Sequence, residues 1–329
     1  MSRQSPIVYT MIVFAFTTAA SGCSSASSPT TLPHASVADM RMLPKSLGSW
    51  TTEASMQTAR VSLAGGVIDG ILYAVGGDNG AQPLNTLEAY DHKTNTWTTK
   101  KSMPTARIGL AAGVINGILY AVGGIDNHQN TLNTLEAYDP STNKWTAKAS
   151  MPTARYGLAA GVLNGKLYVV GGEVFHGPSL NTVEAYNPAT DSWTTKPSMT
   201  KARFVPSASV INGVLYVISG CACETVEAYD PATKAWTTKA NMLSVRDLAS
   251  AAADNGKLYA IGGTDRSGAT GTVEAYNPAT NAWNTKASMP TARYWLVTEV
   301  VGRKIYAVGG QNPDLPGQIL NTVEAFDPR

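Results

Sequence analysis

The chain has 329 residues, 43% hydrophobic and 15% charged, so it holds enough apolar material for a large core and lacks the composition of a disordered protein. Its 25 Lys and Arg against 23 Asp and Glu leave a formal charge of +2. No run of like charges appears, which excludes the basic stripe of a nucleic-acid binder. At the N-terminus, Arg3 precedes an apolar stretch, Ile7 to Ala20, that is too short to span a membrane and reads as an export signal.

Ala20-Ser21-Gly22-Cys23 resembles the processing box of bacterial lipoproteins. The resemblance implies a signal over residues 1–23, acylation of Cys23 and a membrane partner reached through the lipid; an ordinary cleaved signal is the alternative. Ser24 after the cysteine implies, by the same likeness, outer-membrane sorting and a place in the cell envelope. Residues 24–47 are rich in Ser, Thr, Pro and Ala without a sustained apolar period, the composition of a flexible tether.

From residue 48 to 329 one unit recurs. Trp50, Trp97, Trp145, Trp193, Trp236 and Trp283 lie 47, 48, 48, 43 and 47 residues apart, a period that signals a propeller or solenoid. Each unit carries an Arg (Arg60, Arg107, Arg155, Arg203, Arg246, Arg293), a Gly pair and a Glu two residues before Tyr or Phe; Ser219-Gly220 is the one departure from the Gly pair. Arg to the second Gly is always 17 residues, Glu to Trp 9 and Trp to the next Arg 10, whereas the second Gly to Glu varies as 11, 12, 12, 7, 11 and 14. One loop per unit is free to differ.

Within a unit, segments such as Gly109 to Ile115, Ile118 to Val122, Thr134 to Tyr138 and Lys144 to Lys148 are short and rich in β-branched or aromatic residues, which predicts four strands. Asn116-Gly117 between the first two is a tight-hairpin signal and recurs as Asp69-Gly70, Asn164-Gly165, Asn212-Gly213 and Asn255-Gly256. The inner strands are apolar on both faces, as sheets between two neighbours must be.

Gly-Gly, Glu-x-Tyr and Trp at these spacings resemble the kelch family over Trp50 to Arg329. The resemblance implies an all-β fold, a six-bladed β-propeller with four antiparallel strands per blade. The last unit stops at Arg329 before its Trp strand while Trp50 opens the repeat as an orphan, so the N-terminal strand is expected to complete the C-terminal blade and close the ring.

A residue present in every unit belongs first to the structural unit. Alternation along Leu135-Glu136-Ala137-Tyr138 turns Glu toward an inter-blade layer, where Arg is its natural bidentate partner. Ligand recognition is sought where units disagree, on the face shared by the loops after strands two and four. That face collects Asp126, His128, Glu173, His176 and Arg266 from variable loops, and Tyr156, Phe204, Tyr294 and Trp295 just after the repeated Arg. Aromatic and polar residues around a concavity suit a peptide or a carbohydrate. The kelch likeness further implies that Arg107, Arg155 and the residue after the Gly pair meet a partner peptide on this face, where Arg203 is a further candidate.

Chemistry has weaker signals. His34 falls in the tether, His92 in a turn, and His128 and His176 in loops of adjacent blades, where solvated residues and a metal or acid–base site with Asp126 and Glu173 are both open readings. Cys221 and Cys223 allow a disulfide, two thiols or a soft-metal pair, with oxidation favoured in an exported chain. Some kelch propellers are enzymes, among them a copper oxidase of galactose and a sialic-acid mutarotase; the oxidase match is poor for want of a suitable Cys. The expectation is therefore a monomeric binding module without cofactor or resident metal, with a carbohydrate-active enzyme or a structural scaffold as alternatives.

Overall fold

The computed structural model describes residues 47–329 apart from 222, 316 and 317. The export signal, Cys23, His34 and the tether through residue 46 lie outside the described residues. Among those described, the chain is all-β, with six four-stranded antiparallel sheets each running from an inner to an outer strand. In the second blade the strands are Ala111–Ile115, Ile118–Val122, Leu135–Asp139 and Lys144–Lys148. Asn116 and Gly117 turn between the first two with φ of 51° and 75°, the left-handed pair that a two-residue hairpin requires and that Gly and Asn adopt at least cost.

Inner strands touch the inner strands on either side all the way round, from the first blade to the sixth and back to the first, so the disc is closed. The closing blade pairs Val323–Asp327 with Ser49–Glu53, setting Trp50 opposite Phe326 and Thr52 opposite Glu324. The two rings lie 5.0 Å apart, matching Tyr90 and Trp97 at 5.1 Å in the first blade. Every repeat Trp also reaches backwards: Trp50 Nε1 donates to the Ala287 carbonyl and Trp97 Nε1 to that of Ala54, each at 2.8 Å. The same bond ties Trp145, Trp193, Trp236 and Trp283 to the preceding blade. Leu47, at the end of the expected tether, is already engaged, its carbonyl accepting from Ala287 N at 2.9 Å.

Apolar clusters fill the layer between each pair of blades; one joins Tyr73, Val75 and Leu87 of the first blade to Leu119, Ala121 and Tyr138 of the second. Near the axis there is little room. A Cβ on Gly113, third in its inner strand, would fall 2.6 Å from Leu167 Cδ1, and one on Gly161 2.5 Å from Leu215 Cδ1. The equivalent positions in the remaining blades hold Gly66, Ser209, Ala252 and, in the sixth, Glu299. Glu299 fits because its neighbour across the blade interface is Gly65, whose missing Cβ would stand 3.2 Å from Glu299 Cγ and Oε1. Burial pushes the Glu299 carboxyl up to about 7.

Candidate ligand-binding face

The repeated charges come first because they decide what the face can offer. All six arginines are buried, Arg60, Arg107, Arg155, Arg203 and Arg293 with 0% of their surface exposed. Each pairs with the Glu of its own blade, as Arg60 Nη2 with Glu88 Oε1 at 2.8 Å and Arg155 Nη2 with Glu184 Oε2 at 2.9 Å. Arg107 and Glu136 pair likewise. The expected bidentate geometry is not adopted there, because the fork has a second task. Arg107 Nη1 donates to the carbonyls of Gly123 and Thr134, both at 3.1 Å, capping the backbone where strand two ends and strand three begins. The carboxylate's other oxygen takes a hydroxyl from the preceding inter-blade connection, Thr105 on Glu136 Oε1 and Thr153 on Glu184 Oε1, each at 2.9 Å. Desolvation pulls the guanidinium of Arg155 down to about 10 despite the neighbouring Glu184.

This layer corrects one expectation drawn from family likeness. Arg107, Arg155 and Arg203 do not present themselves to a ligand, since their side chains are fully buried and their Nη atoms are held chiefly by the blade's own carboxylate and strand-end carbonyls, with Cys221 Sγ also touching that of Arg203. The carbonyl each arginine holds belongs to the first residue of the Gly pair, 16 residues further on, so the fixed spacing keeps that bond in every one of these blades.

Above the arginines, the residue after each Arg bridges to the residue after the Gly pair of its own blade: Val61 with Asp78, Ile108 with Ile125, Tyr156 with Glu173, Asp247 with Thr264 and Tyr294 with Gln311. The fourth blade replaces this with Phe204 N donating to Gly220 O at 2.8 Å. The variable loops and the strand-four connections therefore share one face. One residue further on, Ser62, Gly109, Gly157, Val205, Leu248 and Trp295 all take a left-handed φ between 52° and 64°. Backbone bonds run from blade to blade through them: Ser62 N to Trp295 O and Gly109 N to Ser62 O at 3.0 Å, Gly157 N to Gly109 O and Val205 N to Gly157 O at 2.8 Å. This collar accounts for Gly109 lying outside its expected strand. Its only sequence signal was glycine at two of the six positions.

Two aromatic groups stand on the face, three blades apart. On one side Tyr156 meets Phe204 edge-on at 5.1 Å and Phe175 at 6.1 Å, with His176 tilted against Phe175 at 3.9 Å. Phe204 occupies the space a Cβ on Gly157 would need, 2.4 Å from its Cε2. Tyr156 Oη donates to Glu173 Oε1 at 2.6 Å, and burial followed by that carboxylate holds the phenol proton well above its ordinary range. On the other side Tyr294 and Trp295 lie 5.1 Å apart. Tyr156, Phe204, Tyr294 and Trp295 are all half-buried.

The remaining candidates are brought together less well. Asp126 turns inward on its own loop, accepting from His128 N at 2.8 Å and Asn130 N at 2.9 Å. His128, His176 and Arg266 are exposed. Among the described residues no three His, Cys, Asp or Glu side chains converge as a metal site would require. The fifth-blade loop forms a small hairpin, Thr264–Asp265 with Gly268–Ala269, that the sequence pattern did not signal. Cys221 and Cys223 form a disulfide.

With closed ring, six equivalent blades and buried Arg–Glu layer described, the class is a β-propeller assembled from a repeated charge-clasped unit. Residues 67–245 match the model of the KLHDC2/KLHL20/DRC7 Kelch-repeats domain, and residues 246–290 and 296–329 the Kelch motif, so the chain belongs to the kelch-repeat family. No curated protein matches its sequence. Among solved structures it is similar to that titled "Structure of YjhT", with a TM-score of 0.73 and 16% identity over 82% of this chain and 95% of the other, a likeness of fold.

Proposed function

We propose that this chain is an exported binding module, anchored in the cell envelope through acylated Cys23, whose variable face takes a peptide or a glycan. The observation that supports this best is the pair of half-buried aromatic groups on a face from which the repeated arginines are withdrawn. Rings with exposed flat surface stack on sugar faces and on peptide side chains alike, and flanking backbone and carboxylate acceptors orient hydroxyl or amide donors. Such recognition needs neither cofactor nor resident metal, and a monomer suffices. Nucleic acid has no matching feature, since the cations of the face are scattered and the six conserved-by-repeat arginines are neutralised.

Purified protein screened on glycan and peptide arrays tests the reading and separates the two ligand classes. Trp295→Ala or Tyr156→Ala should weaken the captured ligand by about tenfold or more, in keeping with a loss of roughly 1–2 kcal/mol per stacked ring, while His176→Ala leaves it unchanged. Binding that ignores both aromatic changes, or steady conversion of the ligand that His176→Ala or Glu173→Gln stops, overturns it. Anchoring is checked separately: Cys23→Ser should move the protein from the membrane to the soluble fraction.

A further inference from the structure

The fourth blade departs from the others in three respects at once: Ser219 replaces the first Gly of the pair, its loop is the shortest, and that loop holds Cys221 and Cys223 as a disulfide. A crosslink across a separation of 2 residues closes almost no chain, so it removes little freedom from the unfolded state and makes a poor staple. Both cysteines are partly exposed on the variable face.

The arginine beneath is turned toward them. In the second blade the Arg107 fork caps the carbonyls of Gly123 and Thr134 with Nη1. In the fourth, Arg203 places Nε and Nη2 on Glu227 Oε2, at 3.2 and 3.1 Å, and Nη2 on Thr225 Oγ1 at 3.1 Å. Nη1 is thereby directed at the Ser219 carbonyl at 2.6 Å and at Cys221 Sγ at 3.5 Å. Thr225 Oγ1 lies 2.9 Å from Cys223 Sγ and 3.6 Å from Cys221 Sγ. A buried cation and a hydroxyl thus stand where negative charge would develop if the S–S bond opened, the setting that stabilises a leaving thiolate.

We propose that Cys221–Cys223 is a thiol-exchange site that accepts two electrons from a dithiol. A substrate thiolate attacks Cys223 Sγ, forming a mixed disulfide, and the electron pair of the broken S–S bond passes to Cys221 Sγ beside Arg203. The substrate's second thiol, deprotonated to solvent, then attacks its own sulfur in the mixed disulfide and expels the Cys223 thiolate. The substrate leaves as a disulfide, oxidised by two electrons; Cys221 and Cys223 become thiols, with two protons transferred in net from substrate to protein through solvent.

The test equilibrates the folded, full-length protein with glutathione buffers of graded reduced-to-oxidised ratio, traps it with an alkylating reagent and counts modified cysteines by intact mass. The pair should reduce reversibly without denaturant, and a dithiothreitol-reduced sample should alkylate at Cys221 about tenfold faster at neutral pH than glutathione does, reflecting a lowered thiol pKa. Thr225→Val should shift the equilibrium toward the disulfide by roughly threefold or more, and Arg203→Lys further still if it folds. The Cys221→Ser/Cys223→Ser double variant should melt within a few degrees of the parent, as a crosslink without a stapling role would. A pair that reduces only when the protein unfolds, a large fall in melting temperature of the double variant, or an equilibrium and alkylation rate unmoved by Thr225→Val overturns the proposal.

Discussion

Two layers of the same blades, a few residues apart in sequence, follow opposite rules. Below, an Arg and a Glu recur in every blade and bury their charges against one another. Above, the residues next to those arginines are Val61, Ile108, Tyr156, Phe204, Asp247 and Tyr294, with no two adjacent blades alike. The lower layer has no tolerance, because a buried guanidinium without its carboxylate is an uncompensated charge. That rigidity is what permits the upper layer to vary: the clasp holds the ends of strands two and three, so whatever joins them need not. The lesson for repeat proteins is that a repeated polar residue marks the frame and its irregular neighbour marks the site.

The comparison can be broken most forcefully at the seam. If closure is part of the frame, deleting Ser49–Glu53 removes the fourth strand of the last blade and the Trp50–Phe326 contact together. The loss should exceed the roughly 3–5 kcal/mol of truncating one buried aromatic, and unfolding should lose its single sharp transition. Chemical denaturation followed by fluorescence and by far-UV circular dichroism checks this; coincident, little-shifted curves would mean that the ring does not depend on its seam.

A smaller cut removes one half of one clasp. Glu136→Ala leaves Arg107 buried beside the carbonyls it caps but without its anion, and should cost about 3–5 kcal/mol. Replacing both partners with apolar residues of similar size should cost less than the single change, because no charge is then stranded. Denaturant midpoints for the three variants decide it, and equal losses for single and double would show that the clasp acts through packing alone.

Much of this is legible in the sequence. Blade count, strand order, the Asn-Gly hairpins and the closing strand all follow from spacing, because a period repeated six times averages away the ambiguity of any one segment. Burial of the Glu was readable from strand alternation, and the Arg–Glu pairing from the cost of leaving either alone. Beyond the fifth-blade hairpin, three things were not. The second task of the arginine, capping the carbonyls of Gly123 and Thr134, depends on where two strand ends converge, which one-dimensional spacing does not encode. The left-handed collar was hidden because Ser62, Val205, Leu248 and Trp295 adopt a conformation that only Gly109 and Gly157 advertise. Glu299 was hidden by its own strand, Val-Thr-Glu-Val-Val, whose only mark is a charge where other blades carry Gly, Ser or Ala.

Glu299 sharpens the comparison because it is an irregular residue inside the regular layer. Burial lifts its carboxyl from 4.5 to about 7 in the folded protein. A group whose folded pKa is raised stays protonated in the native state while the unfolded chain ionises, so it makes stability fall as pH rises from about 4.5 to about 7 and leaves it level above. At one pKa unit per 1.36 kcal/mol the full effect is at most about 3 kcal/mol, and the residue's partial exposure makes about 1–2 kcal/mol the better expectation. Glu299→Gln, which keeps the shape and removes the titration, should therefore match the parent near pH 4 and exceed it by that amount at pH 8, read from urea midpoints at the two pH values. Gly65→Ala, which intrudes on the space beside Glu299 Cγ and Oε1, should cost more in the parent than in a Glu299→Ala background. Parallel pH profiles for parent and Glu299→Gln would instead place the carboxylate in water, and the inner strand of the sixth blade would then obey the same rule as the rim above it.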